Sequence, residues 1–521
     1  MSKEKFLEEL KAGYEHEGES IIMGAPKYHD EVMTETFVRL PLGTLNRHGL
    51  IAGATGTGKT KTLQIVAEQL SAKGVPSLVM DIKGDLSGIA AESPGHAKID
   101  ERHELIGLPF IADSSPVEFL TLSDEPGARL RATVSEFGPV LFSKILGLND
   151  TQSGIISILF KYCDDEAIPL LDLKDVRKLL QYVGGPGKEE FESEYGRISS
   201  ASTGAIMRKI VELEQQDGDR FFGERSFDVH DLTRHTPDGR GIVSILRVTD
   251  VQDKPKLFST FMLQMLAEIY STFPEEGDLD KPKLVLFIDE AHLVFNEASD
   301  ELLDQIETVI KLIRSKGIGI IFITQNPTDI PEEVLGQLGM KIQHALRAFT
   351  AKDRKAIKLA AQNYPLSDHY DVEEIITQLG IGEALFTALN EDGIPTPLVH
   401  TYLRAPQSRM DVLNSREIKD IISRSVIMPK YDEAIDRESA YEILGGKLEE
   451  AEQEENNQAK KSQQEKARKS SRREKQGLER YVDKTTQRQI GRTVAREITR
   501  GVLGVLGVRT TRRRSRSRSW F

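Results

Sequence analysis

A glycine-framed loop lies between an apolar run and an amphipathic segment near the start of this chain, and this order of segments limits the folds that the chain can adopt. The apolar run is GLIAG, residues 49–53, and the loop extends from it to Lys59 and Thr60. The segment KTLQIVAEQLSAKG follows with apolar residues at helical spacing and ends in Gly74, a common helix terminator. This order predicts a strand, a tight turn and a helix in direct succession.

The loop has the spacing G-x-x-x-x-G-K-[ST], which is typical of loops that bind phosphate groups. Its glycines let the backbone turn tightly and bring N–H groups close to phosphate oxygens, while the positive end of the following helix points at them. Lys59 is expected to reach the outer phosphates, and the Thr60 hydroxyl to bind Mg²⁺. We therefore predict that a nucleotide binds here with Mg²⁺ and is held by Gly53, Ala54, Thr55, Gly56, Thr57, Gly58, Lys59, Thr60 and Lys61. The loop alone does not distinguish a kinase, an ATPase and a GTPase.

Two adjacent carboxylates follow a second apolar run, LVLFI, residues 284–288. Asp289 is placed to hold the metal together with Thr60, and Glu290 is placed to polarise an attacking water as a general base. This division of labour favours hydrolysis over transfer of the phosphoryl group to a small molecule.

A third apolar run, GIGIIFITQ, ends in polar residues that are candidates for sensing the terminal phosphate. Gln325 is the main candidate, with Thr324 beside it and Asn326 as a lesser one. A polar strand cap is the alternative interpretation of the same residues.

The strand predicted from VPSLVMDIKG is expected to lie beside the strand of the phosphate loop. Asp81 and Asp85 follow it. Their carboxylates either organise water around the metal or bind Lys83 and the nearby backbone, and the sequence leaves both possibilities open.

Strand and helix patterns alternate before residue 100 and again after residue 235, which predicts an α/β fold with a mainly parallel sheet and a largely helical insertion. GEALFTAL and TPLVHTYL, joined around EDG, predict a closing hairpin. The predicted organisation is a short N-terminal segment (1–45), an ATPase core (46–99 and 236–405), a mainly helical insertion (100–235), a helical extension (406–446), a charged low-complexity linker (447–489) and a basic amphipathic tail (490–521).

Charge is distributed unevenly along the chain, whose formal net charge is −13. Residues from Lys447 onward contain 21 Lys and Arg against 10 Asp and Glu, so they carry +11 and residues 1–446 carry −24. A body this acidic excludes contact with nucleic acid over its whole surface, and any such contact has to be local.

The tail has apolar residues every four positions and arginines on another face, as in a basic amphipathic helix. The apolar positions are Ile490, Val494, Ile498 and Val502. Three uses of this tail remain open, namely contact with the phosphates of a nucleic acid, binding to an anionic membrane, and docking on the acidic body.

Cysteine content and hydropathy favour a cytoplasmic protein. Cys163 is the only cysteine, which excludes an internal disulfide and favours a reducing compartment. The N-terminus lacks an apolar core of signal-peptide length, and the longest apolar runs are too short to cross a bilayer.

Taken together, these segments resemble the HerA/FtsK class of motor ATPases, and within it the bacterial HerA-like group. The resembling segments are NRHGLIAGATGTGKT (46–60), MDIKGDLSG (80–88), KLVLFIDEAHLVFN (283–296), IRSKGIGIIFITQNPTDIP (313–331), QHALRAFTAKD (343–353) and DRESAYE (436–442). The resemblance implies a RecA-like P-loop NTPase, a homo-oligomeric ring that is expected to be hexameric, and ATP hydrolysis coupled to movement on duplex DNA. It also suggests a protein partner such as a nuclease. HerA proteins usually begin with a small β-barrel, for which residues 1–45 are too few.

Ring ATPases of this kind take an arginine from a neighbouring subunit to the transferring phosphate, an effect worth roughly 10³ to 10⁵ in rate. Arg314, just before the third apolar run, is the first candidate, and Arg347 is the second. Either could equally be an ordinary surface arginine.

The letters DEAH at residues 289–292 invite comparison with DEAH-box RNA helicases, but no Q-x-x-G-R-x-G-R string follows them. His292 is therefore expected to have a packing role. The alternative to a DNA motor is a P-loop ATPase that remodels protein complexes or acts at a membrane surface, and a scaffold without turnover is a third possibility.

Overall fold

One large sheet organises the first of the two units into which the chain divides, the residues up to Gly445. The computed structural model describes residues 3–478 except 250–253, 278, 296–299, 434 and 436. Among these residues the strands are β1 (Ser20–Tyr28), β2 (Glu31–Val32), β3 (Val38–Pro41), β4 (Gly49–Ala52), β5 (Ser77–Asp81), β6 (Val117–Thr121), β7 (Ala128–Arg129), β8 (Val243–Arg247), β9 (Leu284–Ile288), β10 (Ile318–Thr324), β11 (Met340–Gln343), β12 (Glu383–Thr387) and β13 (Val399–Leu403).

Helices connect most of these strands. They are α1 (Lys3–Tyr14), α2 (Lys59–Ala72), α3 (Ala97–Ile106), α4 (Val134–Ile145), α5 (Asp150–Asp165), α6 (Leu173–Gly184), α7 (Lys188–Tyr195), α8 (Ser200–Glu214), α9 (Gly218–Phe221), α10 (Pro255–Thr272), α11 (His292–Phe295), α12 (Asp300–Ile313), α13 (Glu332–Leu335), α14 (Ala351–Gln362), α15 (Val372–Gln378), α16 (Ser415–Ile422), α17 (Met428–Asp432) and α18 (Ala440–Leu478). Within the described part of the chain, none of them combines the length and apolar character that crossing a bilayer requires.

The strand order is β2-β1-β13-β12-β11-β4-β10-β9-β5-β8-β6-β7, with β3 paired to β1. From β11 to β7 neighbouring strands are parallel, whereas β12, β13, β1, β2 and β3 pair antiparallel. The predicted α/β class with a mainly parallel sheet is confirmed, as is the hairpin, which is formed by β12 and β13.

The central strands are apolar because helices cover them. Every residue of β4, β9 and β10 is buried. A parallel strand buried in this way carries a continuous apolar run rather than alternating polar and apolar residues. This pattern explains why these three strands were recognisable in the sequence.

The expectation that the strand before Asp81 lies beside the strand of the phosphate loop is wrong. β5 pairs with β8 and β9, and β9 and β10 separate it from β4. Strands that follow each other in sequence are often neighbours in a sheet, but here the chain returns much later and inserts two strands between them.

The sheet also extends into segments that had no strand assignment. β6 and β7 lie within residues 100–235, and β6 pairs with β8. β6 escaped notice because Glu118 interrupts its apolar run; its buried carboxylate pairs with Arg234 at 2.6 Å. The N-terminal segment supplies β1, which pairs with β13, and helix α1, which buries Phe6.

The second unit begins at Gly446, and its described part is helical. Residues 447–478 of the predicted charged linker belong to α18, and side chains 452–468 are exposed, in keeping with a composition that forms no core. The rest of that linker and the predicted amphipathic tail, 490–521, lie outside the described residues.

Replacing Phe6 by Ala should destabilise the first unit by about 3 kcal/mol, because a buried aromatic ring is lost. Phe6 is 1% exposed, and its ring lies 4.9 Å from that of Tyr28 and 4.8 Å from that of His369. The midpoint of urea unfolding measures the effect. Glu8→Ala, on the exposed face of the same helix, is the control and should leave the midpoint nearly unchanged. Equal midpoints for the two variants would contradict the integration of α1 into the core.

Candidate nucleotide-binding site

The parallel register brings the predicted site residues to one edge of the sheet. Ala52, the last residue of β4, pairs with Thr324 at the end of β10, and β10 also pairs with β9. Asp289 and Glu290 follow β9 directly. The phosphate loop, the carboxylate pair and Gln325 therefore leave the sheet side by side.

The phosphate loop needs glycine at its first and last bends. Gly53 has φ 154°, and a Cβ there would lie 2.5 Å from the Cβ of His344. Gly58 has φ 116° and caps the N-terminus of α2, so Lys59 and Thr60 are the first two helical residues. The N-terminus of α2 thus points its backbone N–H groups and positive end toward the loop.

The segment after β11 supports this loop through two polar contacts. The N–H of Ala54 donates to the carbonyl of Ala345 at 2.8 Å, and His344 Nε2 lies 2.9 Å from Thr62 Oγ1. Burial, with the nearby Lys59 ammonium, lowers the pKa of His344 to about 4. The imidazole is therefore neutral and supports the loop without adding charge.

Lys59 is buried inside its own loop. Its ammonium donates to the carbonyls of Gly53 at 2.7 Å and Ala54 at 3.2 Å. Burial and the Lys83 ammonium lower its pKa, whereas Glu290 and Asp289 act in the opposite direction. Thr55 and Gly56 form the exposed rim of the loop.

Lys61 differs from the other predicted loop residues. Its ammonium binds the carbonyl of Met410 and lies 3.4 Å from Gln64 Oε1. The side chain is therefore directed to the segment after β13 rather than into the loop, and only its backbone remains near the predicted phosphate site.

Asp289 is a buried carboxylate with an unpartnered oxygen. It is 3% exposed, and its Oδ2 has no hydrogen-bond partner among the described residues. Burial raises the pKa of Asp289 to about 7, against the opposing effect of Lys83.

Since a buried carboxylate oxygen without a hydrogen-bond partner suits a hard cation, Asp289 fits Mg²⁺. Among the described residues, no cluster of three or more His, Cys, Asp or Glu side chains forms a metal site without the nucleotide. Thr60 and Asp289 are thus the residues that would hold the ion together with phosphate oxygens.

Glu290 is held in a strained and crowded position. Its φ is 46°, a left-handed conformation that costs a non-glycine residue about 1–3 kcal/mol. Lys83 forms an ion pair with one carboxylate oxygen, and the other lies 3.5 Å from Gln325 Nε2 and 3.2 Å from His292 Nδ1. Backbone strain of this kind is typical of functional sites.

Burial acts to raise the pKa of Glu290, but the hydrogen bond and charge of Lys83 outweigh it, so that the net shift is downward. The carboxylate therefore stays ionised, which is the state a general base requires.

Lys83 and His292 are the contacts that the sequence interpretation missed. His292 was expected to have a packing role, yet its ring lies against the Glu290 carboxylate. Lys83 follows β5, and β5 lies beside β9, so a cation two residues beyond one strand reaches the carboxylate that ends the next. The lysine in MDIKG is visible in the sequence, but its contact with Glu290 can be inferred only once β5 is known to lie beside β9.

Of the predicted partners of Asp81, the nearby backbone is confirmed, whereas Lys83 pairs with Glu290 instead. Its two carboxylate oxygens accept hydrogen bonds from the N–H groups of Gly84, Asp85 and Leu86 at 2.7–3.2 Å. Burial raises its pKa to about 6. Asp81 thus shapes the turn that presents Lys83 to Glu290.

The polar residues at the end of β10 and directly after it divide into one site residue, Gln325, and two residues that stabilise a turn. Gln325 is exposed and approaches Glu290. The Thr324 hydroxyl donates to Asp329 at 2.6 Å, and Asn326 accepts from the N–H of Thr328, so both stabilise the turn Pro327–Asp329.

The two candidate arginines lie at different edges of the sheet. Arg314 precedes the amino end of β10, at the edge opposite the phosphate loop. Arg347 follows β11 on the loop side, is exposed, and donates to the carbonyl of Thr377 at 3.0 Å. Arg314 is therefore too distant to act on the nucleotide site of its own chain.

Comparison with known proteins assigns the chain to a family. The family model described as "Helicase HerA-like C-terminal" matches residues 27–513. The chain belongs to this family. Family and fold together make this HerA-like chain a P-loop NTPase.

Curated relatives of this HerA-like chain are similar over much of its length. It is 23% identical over 366 residues to the DNA double-strand break repair helicase HerA of Sulfurisphaera tokodaii, covering 67% of this chain and 63% of that protein. It is 22% identical over 390 residues to the protein of the same name from Saccharolobus solfataricus, covering 73% and 68%. The chain thus spans slightly less than two thirds of the first relative.

A solved structure shares the fold. The unbound monoclinic form of the bacterial conjugative coupling protein TrwBdeltaN70 has a TM-score of 0.51 and 15% identity, covering 80% of this chain and 95% of that one. At this identity the similarity shows the fold alone, a RecA-like sheet with helices.

Replacing Lys83 by Met should shift the acidic limb of the pH profile of kcat/KM for ATP hydrolysis upward, because kcat/KM reports the free enzyme, in which Lys83 contacts Glu290. Lys83 holds the pKa of Glu290 down, so its removal raises that pKa and leaves less of the ionised base at low pH. Steady-state rates between pH 5.5 and about 9 measure the shift. Lys73→Met, which removes an exposed ion pair with Glu19, is the control. An unchanged acidic limb in Lys83→Met would show that the cation does not tune the base.

Proposed function

We propose that the protein is a Mg²⁺-dependent ATPase motor that moves on or remodels DNA as a homo-oligomeric ring, with six subunits as the expected ring size. The observation that carries the ATPase part is the meeting of Lys59, Asp289, Glu290 and Gln325 at one sheet edge. The DNA part rests on the family and on the curated relatives, which are named as DNA repair helicases.

Lys59 and the backbone of the loop hold the phosphates in this proposal. The Lys59 ammonium now binds loop carbonyls and would exchange them for phosphate oxygens, which are stronger acceptors because they are charged. Thr60 and the free oxygen of Asp289 hold Mg²⁺, which when bound there supplies positive charge against the phosphate oxygens.

Glu290 orients the attacking water and takes its proton. To do so, its carboxylate has to give up contacts that now occupy both oxygens, with Lys83 on one and Gln325 and His292 near the other. Gln325 lies 3.5 Å from this carboxylate, so a contact between Gln325 and the terminal phosphate would change the position of Glu290. The left-handed backbone at Glu290 is strained, and such strain is common at residues that change their contacts during function.

Arg314 is proposed to act on the nucleotide of a neighbouring subunit. Its place at the edge opposite the phosphate loop suits a residue that faces the next subunit in a ring. Arg347, on the same edge as the loop, remains the second candidate.

A P-loop ATPase that remodels protein complexes is the second candidate function. The charge of −24 in residues 1–446 favours it, since an acidic body offers few places for a polynucleotide. The two functions differ in whether DNA changes the rate of hydrolysis.

Replacing Glu290 by Gln should reduce the rate of ATP hydrolysis by at least about 10²-fold, because the base is lost. The affinity for ATP should remain close to that of the wild type, since the loop and Lys59 are unchanged. Fluorescent nucleotide binding and phosphate release measure the two quantities separately. Glu307→Gln, a matched change on the neighbouring helix α12, is the control. Full turnover by Glu290→Gln would refute the assigned role.

Duplex DNA should stimulate hydrolysis of ATP, and the stimulation should weaken steeply as salt concentration rises, because contacts with phosphates release counterions. Rates with and without a duplex, at several potassium chloride concentrations, test this. A rate that is indifferent to DNA at every salt concentration would favour the protein-remodelling alternative.

A further inference from the structure

A short basic segment leaves the sheet directly after the residues that brace the phosphate loop. It comprises residues 349–358, which we call the basic arm, and includes Phe349 and most of α14. β11, which leads into it, is the parallel neighbour of β4. The arm therefore begins at the edge of the sheet where the nucleotide site lies.

The arm concentrates unpaired positive charge on an acidic protein. Lys352, Arg354, Lys355 and Lys358 are all exposed, and none forms an ion pair with a described residue. Residues 1–446 as a whole carry −24. Four cations within seven residues are thus a local departure from the charge of the body.

Nearby carboxylates of the described chain form hydrogen bonds within or next to their own helices and no close ion pair with these cations, although the charge of Asp353 still acts on Lys352. Asp353 accepts hydrogen bonds from the N–H groups of Phe349 and Thr350 and caps α14. On the adjacent helix α15, Asp371 accepts from the N–H of Glu374, and Glu374 accepts from Gln378. The cations therefore face solvent.

Phe349 adds an exposed apolar ring at the start of the arm, where 85% of its surface is accessible. A ring this exposed has no role in the core of the described chain. Exposed cations match the charged phosphates of a nucleic-acid backbone, and the ring beside them can pack against the C–H groups of the sugars between the phosphates.

Two connections link the arm to the catalytic edge. Upstream, Ala345 accepts the N–H of Ala54 and His344 supports Thr62, so the loop and the arm share one short segment. In addition, α14 packs against the turn Pro327–Asp329, which follows Gln325. The arm is thus connected to the phosphate loop through His344 and Ala345 and to the end of β10 through the turn Pro327–Asp329.

We propose that the basic arm binds the phosphate backbone of duplex DNA. This inference rests on the proposed DNA motor and names the surface through which the motor would hold its track. The alternative partner of the basic arm is the acidic surface of a neighbouring copy of this chain, which is negatively charged as DNA is.

The test compares two triple variants of the full-length protein. The arm variant carries Lys352→Gln, Lys355→Gln and Lys358→Gln. The control variant carries Arg416→Gln, Lys419→Gln and Arg424→Gln, which removes the same charge from exposed positions on and just after α16. Thermal unfolding shows that each variant is folded, and light scattering measures the oligomeric mass with nucleotide present.

Affinity for a fluorescent DNA duplex, measured from about 50 to 300 mM salt, gives the slope of log K against log salt concentration. Each lost phosphate contact makes this negative slope shallower by about 0.9, so the slope of the arm variant should be shallower by about two to three and its affinity at least about tenfold lower at low salt. The control variant should keep the wild-type slope. Contacts made by the tail contribute equally to all three proteins.

Each other outcome overturns the inference in a distinguishable way. A wild-type slope in the arm variant would show that the arm does not contact DNA, and it would leave the proposed DNA motor untouched. An equal loss in the control variant shows that only total charge matters. A smaller oligomer in the arm variant alone assigns the arm to a subunit contact. Absence of duplex binding by the wild type defeats the inference and the proposed DNA function together.

Discussion

The position of β10 between β4 and β9 is the constraint on which the site depends. β10 forms hydrogen-bonded ladders with both neighbours, and all three strands run in the same direction. Two strand spacings of about 4.8 Å each set the ends of β4 and β9 about 10 Å apart. That gap separates the phosphate loop from Asp289 and Glu290 and leaves room for a phosphate group and a water. Gln325, at the end of β10, lies between them.

The balance of buried charge then decides the state of each carboxylate. Lys59 and Lys83 provide two ammonium groups, and Asp289 and Glu290 two carboxyl groups. Glu290 has a direct ion pair with Lys83, which keeps its pKa low despite burial, whereas Asp289 lacks such a pair and its pKa is raised to about 7. Environments that separate the pKa values of adjacent carboxyls commonly separate their roles. Here one stays ionised, and the other keeps an oxygen free for a cation.

Local patterns were sufficient to predict the phosphate loop, the buried strands and the closing hairpin, because each follows from residues close together in sequence. Features set by distant partners were not predictable in this way. The buried Glu118 in β6 is paired with Arg234, which lies far away in the sequence. The contact of Lys83 with Glu290 depends on β5 lying beside β9. The same missing information led to the wrong neighbour for β5. The roles of Arg314 and Arg347 depend on a second subunit and stay predictions.

A structure of the protein with Mg²⁺ and a non-hydrolysable ATP analogue would show whether the phosphate loop and Glu290 form one catalytic site. We expect the Lys59 ammonium to leave the Gly53 and Ala54 carbonyls and to lie about 3 Å from oxygens of the outer phosphates. We also expect the Glu290 carboxylate to lie one water molecule away from the terminal phosphate, with the Lys83 contact broken. A nucleotide bound away from the loop, or a terminal phosphate with Glu290 still paired to Lys83 and no water between them, would contradict a single catalytic site.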